Sequence, residues 1–304
     1  MFLKPNSLIA AFLFTFVFLP FVVLSQARGK VLLDADTGNE VDDLYALARI
    51  LLEDDLEIMG LNATHWQTSH WTLPKSMENS HRLNQMLLGE LGLQLKANRG
   101  GIARMYDWGD RAQHSAAAYE IIRLAKELPE GERLTVIALG ALTNVASAIY
   151  LDESIASKLT LYWFGTTYDF ENGILRRHDF NSLMDPYALD VLLFSEVEMF
   201  VMPINVGAKM KFNFEKTREM ISSNTIGKFL IDRWYTHLDG GRTERTLWDL
   251  ALIEAYLHPE WATVTEVETS KDNGSKKLKY YSDIDKEKMS ADFFEVINSF
   301  EKRP

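Results

Sequence analysis

Apolar residues fall along the chain in short dense runs alternating with longer stretches at helical spacing. Val31, Leu32 and Leu33 form one run. A polar loop follows, and then Leu44, Leu47, Ala48 and Leu51 repeat with the period of a helix. The unit reads as a buried strand, a tight loop and a helix. Residues 56–61 read as the second strand and Ser76–Leu91 as a helix. Gly100 and Gly101 mark a turn, residues 103–114 a polar, aromatic loop over the site, and residues 115–128 another helix. Residues 134–139, Leu159–Phe164 and 199–204 read as strands. Helices are expected from near Thr143, from Asp185-Pro186 with Asp as cap and Pro at the first position, within 214–237, and over 250–257. The last stretch, 262–304, holds strand-like runs, a hairpin at Asp272-Asn273-Gly274 and a final helix. This predicts an α/β fold with an open, mostly parallel central sheet flanked by helices, a Rossmann-like core. No internal repeat or low-complexity linker divides it, so residues 26–304 read as a single domain.

The first 25 residues read differently. Lys4 precedes an apolar run over 8–24 that Pro20 interrupts. Small or polar residues follow at Ser25, Gln26 and Ala27, with Arg28 as a charge stop. This is the pattern of a secretory signal peptide, better than that of a membrane anchor. The chain has no cysteine, so neither disulfides nor a cysteine-linked lipid is available. Export to a periplasm or out of the cell is expected, where calcium is easier to obtain than in a cytosol, with no stable membrane insertion after cleavage. A net charge of -11 argues against a nucleic-acid partner and suits a small-molecule substrate. The oligomeric state stays open, a homo-oligomer included.

The chemistry concentrates after the first apolar run. Asp34 and Asp36 end the strand, and Asp42 and Asp43 open the helix. Ligands of open α/β sheets bind outside the carboxyl ends of the strands. Four acids there repel one another, and a hard divalent cation with oxygen ligands relieves the repulsion. A milder reading has Asp42 or Asp43 capping the helix and the rest solvated.

This stretch resembles the start of the nucleoside hydrolases, where a strand ends in D-x-D, a Gly-containing loop follows and D-D begins a helix. Here the loop is two residues longer, a variant associated with bacterial relatives. The chain therefore looks like a divergent, exported, bacterial-type member. Three further motifs carry the likeness. Gly140-Ala141-Leu142-Thr143-Asn144 stands where the family has G-P-L-T-N. Asp179-Phe180-Asn181, followed by Asp185-Pro186, stands where it has E-F-N and D-P. Leu247-Trp248-Asp249 opens a late helix. The resemblance implies Ca²⁺ held by Asp36, Asp43, the Leu139 carbonyl and Asp249, with Asp36 also taking a proton from water. It implies Asp42, Asn172, Asp179 and Asn181 on the ribose, with Gln67 the nearest match to a sugar-binding Asn. Trp248 replaces the His of pyrimidine-tolerant members and would stack on the base, as in purine-preferring ones. The implied activity is calcium-dependent hydrolysis of the N-glycosidic bond of ribonucleosides, purines preferred, to ribose and free base, in purine salvage.

His65 and His70 are candidate acids for the leaving base or metal ligands, though a histidine in such a loop is more often a plain polar contact, and Trp66 and Trp71 are candidates for stacking on the base or packing the rim. Two other functions compete. A non-catalytic, calcium-dependent nucleoside- or sugar-binding protein would keep the ligands without turnover. A haloacid-dehalogenase-like phosphatase would read Leu32-Leu33-Asp34-Ala35-Asp36-Thr37 as its D-x-D-x-T motif, with Asp34 as nucleophile and Mg²⁺ as cofactor. No convincing copy of that family's later lysine or distal acidic pair is present.

Overall fold

The computed structural model describes residues 28–66, 75–221 and 223–301. The leader expected over residues 1–25 lies outside them, as do Gln67, His70 and Trp71. In chain order the elements are β1 (Arg28–Ala35), α1 (Asp42–Leu51), β2 (Leu56–Ala63), α2 (Ser76–Leu91), β3 (Ala97–Arg99), α3 (Ala116–Glu127), β4 (Leu134–Ala138), α4 (Thr143–Leu151) and β5 (Leu159–Phe164). A small hairpin, β6 (Thr167–Asp169) and β7 (Ile174–Arg176), leads to α5 (Phe180–Met184), α6 (Pro186–Leu193), β8 (Glu198–Met202) and α7 (Ile204–Gly207). Then come β9 (Lys211–Asn213), α8 (Phe214–Met220), α9 (Thr225–Thr236), β10 (Glu244–Thr246), α10 (Trp248–Leu257), β11 (Ala262–Glu268), β12 (Lys277–Ile284) and α11 (Lys286–Ser299). Eight strands form one open sheet in the order β11-β12-β8-β5-β4-β1-β2-β3. Only the β11–β12 edge pair is antiparallel.

The mostly parallel sheet is buried on both faces, which is why its strands read as continuous apolar runs rather than alternating ones. Val31, Leu33 and Ala35 of β1 pack with α1, α2, α9, α10 and α11. Leu32 points the other way, into the core shared with α3, α4 and α6. The period of two along the strand thus places Asp34 on the Leu32 side. Helix α10 is apolar on nearly every side, as a helix sandwiched in the interior must be; its buried exceptions are Asp249 and Glu254.

Strand β8 stops at Met202 rather than running to 204. Pro203 has no N–H for the ladder, and it precedes α7 instead. The hairpin expected at Asp272-Asn273-Gly274 forms as β11–β12, but through a 3₁₀ turn over Lys271–Asn273 and Gly274 at φ +79°, not a two-residue turn. The pair β6–β7 falls in a stretch read as loop, and β9–β10 flanks the stretch 214–237 read as helical; three-residue strands carry too little pattern to register. Among the described residues no helix is long and apolar enough to cross a membrane.

Candidate active site

A cavity of about 650 Å³ opens at the carboxyl ends of β1, β4, β5 and β8, which contribute Asp36, Leu139, Phe164 and Ile204 to its wall. That size suits a small molecule. Asp36 lies just past β1, where the Asn39 N–H closes a turn on its carbonyl at 2.8 Å. Helix α1 begins without a side-chain cap at Val41. Asp42 and Asp43 are therefore first-turn residues rather than caps, and the helix dipole favours their carboxylates. The N-terminus of α10 meets that of α1: the Asp249 N–H donates to Asp42 Oδ2 at 3.2 Å. Oxygens of Asp42, Asp43 and Asp249 lie within 4.8 Å of one another. Asp36, a metal ligand by resemblance, lines the same cavity but is not in that set, whereas Asp42, assigned to the ribose, is.

None of these four acids is more than 4% exposed. Burial pushes Asp42 up to about 7, with Glu40 adding to it. Burial first, and then the neighbouring acids, drive Asp36, Asp43 and Asp249 well above the usual carboxylate range. Asp36 Oδ2 and Asp43 Oδ1 are buried with no hydrogen-bond partner among the described residues. Such a group is costly unless protonated or compensated by a cation, and an all-oxygen donor set fits a hard divalent ion. Gly140 makes the crowding possible, since a Cβ there would meet Asp36 Oδ1 at 2.6 Å.

Asn181 Nδ2 donates to Leu139 O at 2.7 Å and to Phe164 O at 2.9 Å. It ties the ends of β4 and β5 together, leaving its Oδ1 for a ligand and one lone pair on the Leu139 carbonyl. Asp179 lines the cavity and caps α5, accepting from Ser182 N–H at 3.0 Å and Ser182 Oγ at 2.5 Å; burial raises its carboxyl. Nearby, Thr166 holds a left-handed backbone at φ 61°, a costly conformation for a β-branched residue at the mouth of β5.

Several expectations are corrected by position. Asn172 is exposed in the β6–β7 connection, where its Nδ2 donates to Asp169 Oδ2 at 2.9 Å, away from the cavity. His65 is fully buried beneath the site. Its Nε2 donates to Thr143 Oγ1 at 2.8 Å, which donates to Asp185 Oδ2 at 2.6 Å. Burial lowers it to about 4, so it is a neutral core contact rather than an acid. The loop over residues 103–114 does not cover the site. Met105 N–H donates to Asp185 and Gln113 N–H to Ser147, seating the loop on α4 and α6. Asp34 is 1% exposed, accepts from Asn144 Nδ2 at 3.1 Å and does not line the cavity. A phosphatase with Asp34 as nucleophile is thereby excluded: the attacking oxygen would have no substrate beside it.

Trp248 lines the cavity beside Phe164, ring centroids 6.2 Å apart, and Trp66 joins the wall. Sequence reasoning missed Glu40, His237, Asp239 and Arg242, which also line it. The signal for Glu40 was the lengthened loop after Asp36. The last three sit in a polar turn after α9 whose Gly240-Gly241 pair announces a loop but no chemistry. Arg245 organises that turn, bonding Asp239 and reaching Glu40 at 3.2 Å.

Known proteins resemble this chain. A protein from Arabidopsis thaliana named uridine nucleosidase 1 is 28% identical over 223 residues, 66% of this chain and 62% of its own length. A rice protein named probable uridine nucleosidase 1 is 26% identical over 80% of this chain and 82% of its own. The solved structure of a plant nucleoside hydrolase superposes with a TM-score of 0.69 at 19% identity, covering 89% of this chain and 99% of that one. The sequence pattern of the inosine-uridine preferring nucleoside hydrolases matches residues 31–291, so the chain belongs to that family of N-glycosyl hydrolases.

Proposed function

We propose that the protein is a calcium-dependent nucleoside hydrolase that cleaves ribonucleosides to ribose and free base, purines ahead of pyrimidines, and acts after export. The observation that carries this reading is the convergence of Asp42, Asp43 and Asp249 within 4.8 Å beside the unpartnered Asp36 Oδ2, in a cavity with an aromatic wall. Bound in that cluster, a calcium ion would supply an electrophilic anchor for a water molecule and for sugar oxygens. Asp36 takes the proton of the attacking water. Asp179 and Asn181 Oδ1 hold ribose hydroxyls. The buried acids stabilise the positive charge that grows on the sugar ring as the bond to the base breaks. Release of free ribose from a panel of nucleosides, with and without chelator, tests the reading; binding without turnover would instead favour a non-catalytic binder.

His237 takes the part expected of His65 or His70. Unlike His65 it lines the cavity, and although burial lowers its basicity the Asp239 charge opposes that shift and favours the protonated ring that serves as the acid. His237→Gln is expected to slow hydrolysis of ordinary nucleosides by about 10²-fold. It should barely affect a nitrophenyl riboside, whose leaving group departs without a proton. Equal losses on both substrates would remove His237 from this role.

Trp248 has no proton to give near neutral pH and acts by stacking. A large flat base profits most, so inosine should turn over faster than uridine. Trp248→Ala should lower kcat more than it raises KM. The relatives named uridine nucleosidases make uridine the rival substrate. Faster turnover of uridine by the wild type, or an unchanged kcat on inosine in the variant, would defeat the purine preference.

A further inference from the structure

Helices α1 and α10 meet twice. Their N-termini bring Asp42, Asp43 and Asp249 together. About two turns further along α1, in the interior, sits Arg49, 2% exposed, against Glu254 of α10, 0% exposed. Arg49 Nε lies 3.4 Å from Glu254 Oε1. The same guanidinium reaches Asp292 of α11 at 2.7 Å, Glu53 at 3.2 Å and His258 Nε2 at 3.4 Å. Glu254, His258 and Asp292 place ligand-type atoms within 4.8 Å of one another, the spacing of a second metal site. Arg49 already stands among them as the cation, so a metal ion would meet a fixed positive charge.

The charges need another reason to be there. The rest of the α1–α10 contact is apolar, with Leu44, Leu47, Leu250 and Ile253 all buried. Such packing is strong but non-directional, and similar side chains on successive turns tolerate small slips. Three carboxylates within 4.8 Å do not tolerate them. A buried ion pair is a weak source of net stability, and its best-attested use is to fix register.

We propose that Arg49, with Glu254 and Asp292, is a positioning cluster for the cation site: it sets the register of α1 against α10 so that Asp42, Asp43 and Asp249 converge. This rests on the reading that the cluster binds calcium. The test is a calorimetric titration of Ca²⁺ alone into chelator-stripped protein, with melting temperatures measured in chelator. Wild type is expected to bind and Asp43→Ala not to. The double variant Arg49→Met/Glu254→Leu replaces the pair by apolar groups and should melt near the wild type, yet bind calcium at least about 10-fold more weakly. Calcium affinity equal to wild type in the folded double variant overturns the proposal and leaves the calcium reading intact. If the double variant does not fold, Glu254→Gln decides in the same way: weaker binding supports the proposal, unchanged binding overturns it. A wild type that binds no calcium overturns the calcium reading, and this inference with it.

Discussion

Asp43→Ala is expected to abolish calcium binding and to lower nucleoside turnover by about 10³-fold or more, while leaving the metal-free protein at least as stable as the wild type. The loss follows from position. Asp43 is 2% exposed, on the first turn of α1, and its Oδ1 has no partner among the described residues. It brings a full negative charge to a set of oxygens spanning no more than 4.8 Å. Its removal takes away one of three converging carboxylates. The stability result follows from the same crowding. Burial and the charges of Asp36 and Asp42 both oppose ionisation of Asp43, so without a cation it is a burden on the fold. A variant that unfolds in chelator would mean that Asp43 is structural. Full wild-type activity in strong chelator, with no metal in the purified protein, would remove the cation from the mechanism.

The second large effect is on stability. In chelator the melting temperature is expected to fall as pH rises from the ordinary carboxylate range, near 4, through 7; with calcium the fall should become shallower. The sign comes from the direction of the shifts. Burial raises Asp34 and Asp42 to about 7 and drives Asp36, Asp43 and Asp249 higher than their ordinary values. A group whose folded pKa lies above its unfolded one holds more protons in the folded state. Its stabilisation is complete below the unfolded pKa and is lost as pH rises through the folded one. Asp34 alone, moved from 3.8 to about 7, corresponds to on the order of 4 kcal/mol. Calcium replaces protons at the cleft acids and adds about 3 kcal/mol at a hundredfold excess over its Kd. It does nothing for Asp34, which lies outside the cleft, so a residual slope should persist and vanish in Asp34→Asn. A chelator-treated protein whose melting temperature rises across this range would contradict the burial of these acids as ionisable groups.

Much of this was legible in the residues. The strand–loop–helix over residues 31–51 and the α10 start at Trp248-Asp249 are long periodic elements with chemistry at their ends, and the sheet orders them as their pattern implies. What escaped depended on contacts between distant segments. Nothing local in His65 says that Thr143 and Asp185 will enclose it, so for a loop histidine before a tryptophan an acid role stayed open beside the plain polar contact. Asn172 differs from Asn181 only by lying in a hairpin too short to be read. His237 had the opposite problem: its turn follows a helix of ordinary composition, and only the fold carries it to the cavity. Arg49 and Glu254 carry no local sign of burial; that both are interior follows from the packing of α1 and α10 with α11.

Asp42 and Asp249, which share a hydrogen bond across the site, stand 207 residues apart in the chain. During synthesis Asp36, Asp42 and Asp43 emerge early and have no counterpart until α10 follows. An incomplete chain therefore has three acids and no cage. On the calcium reading, uptake of the cation would be a late event in the protein's life, a seal set on a finished molecule rather than a nucleus around which it folds.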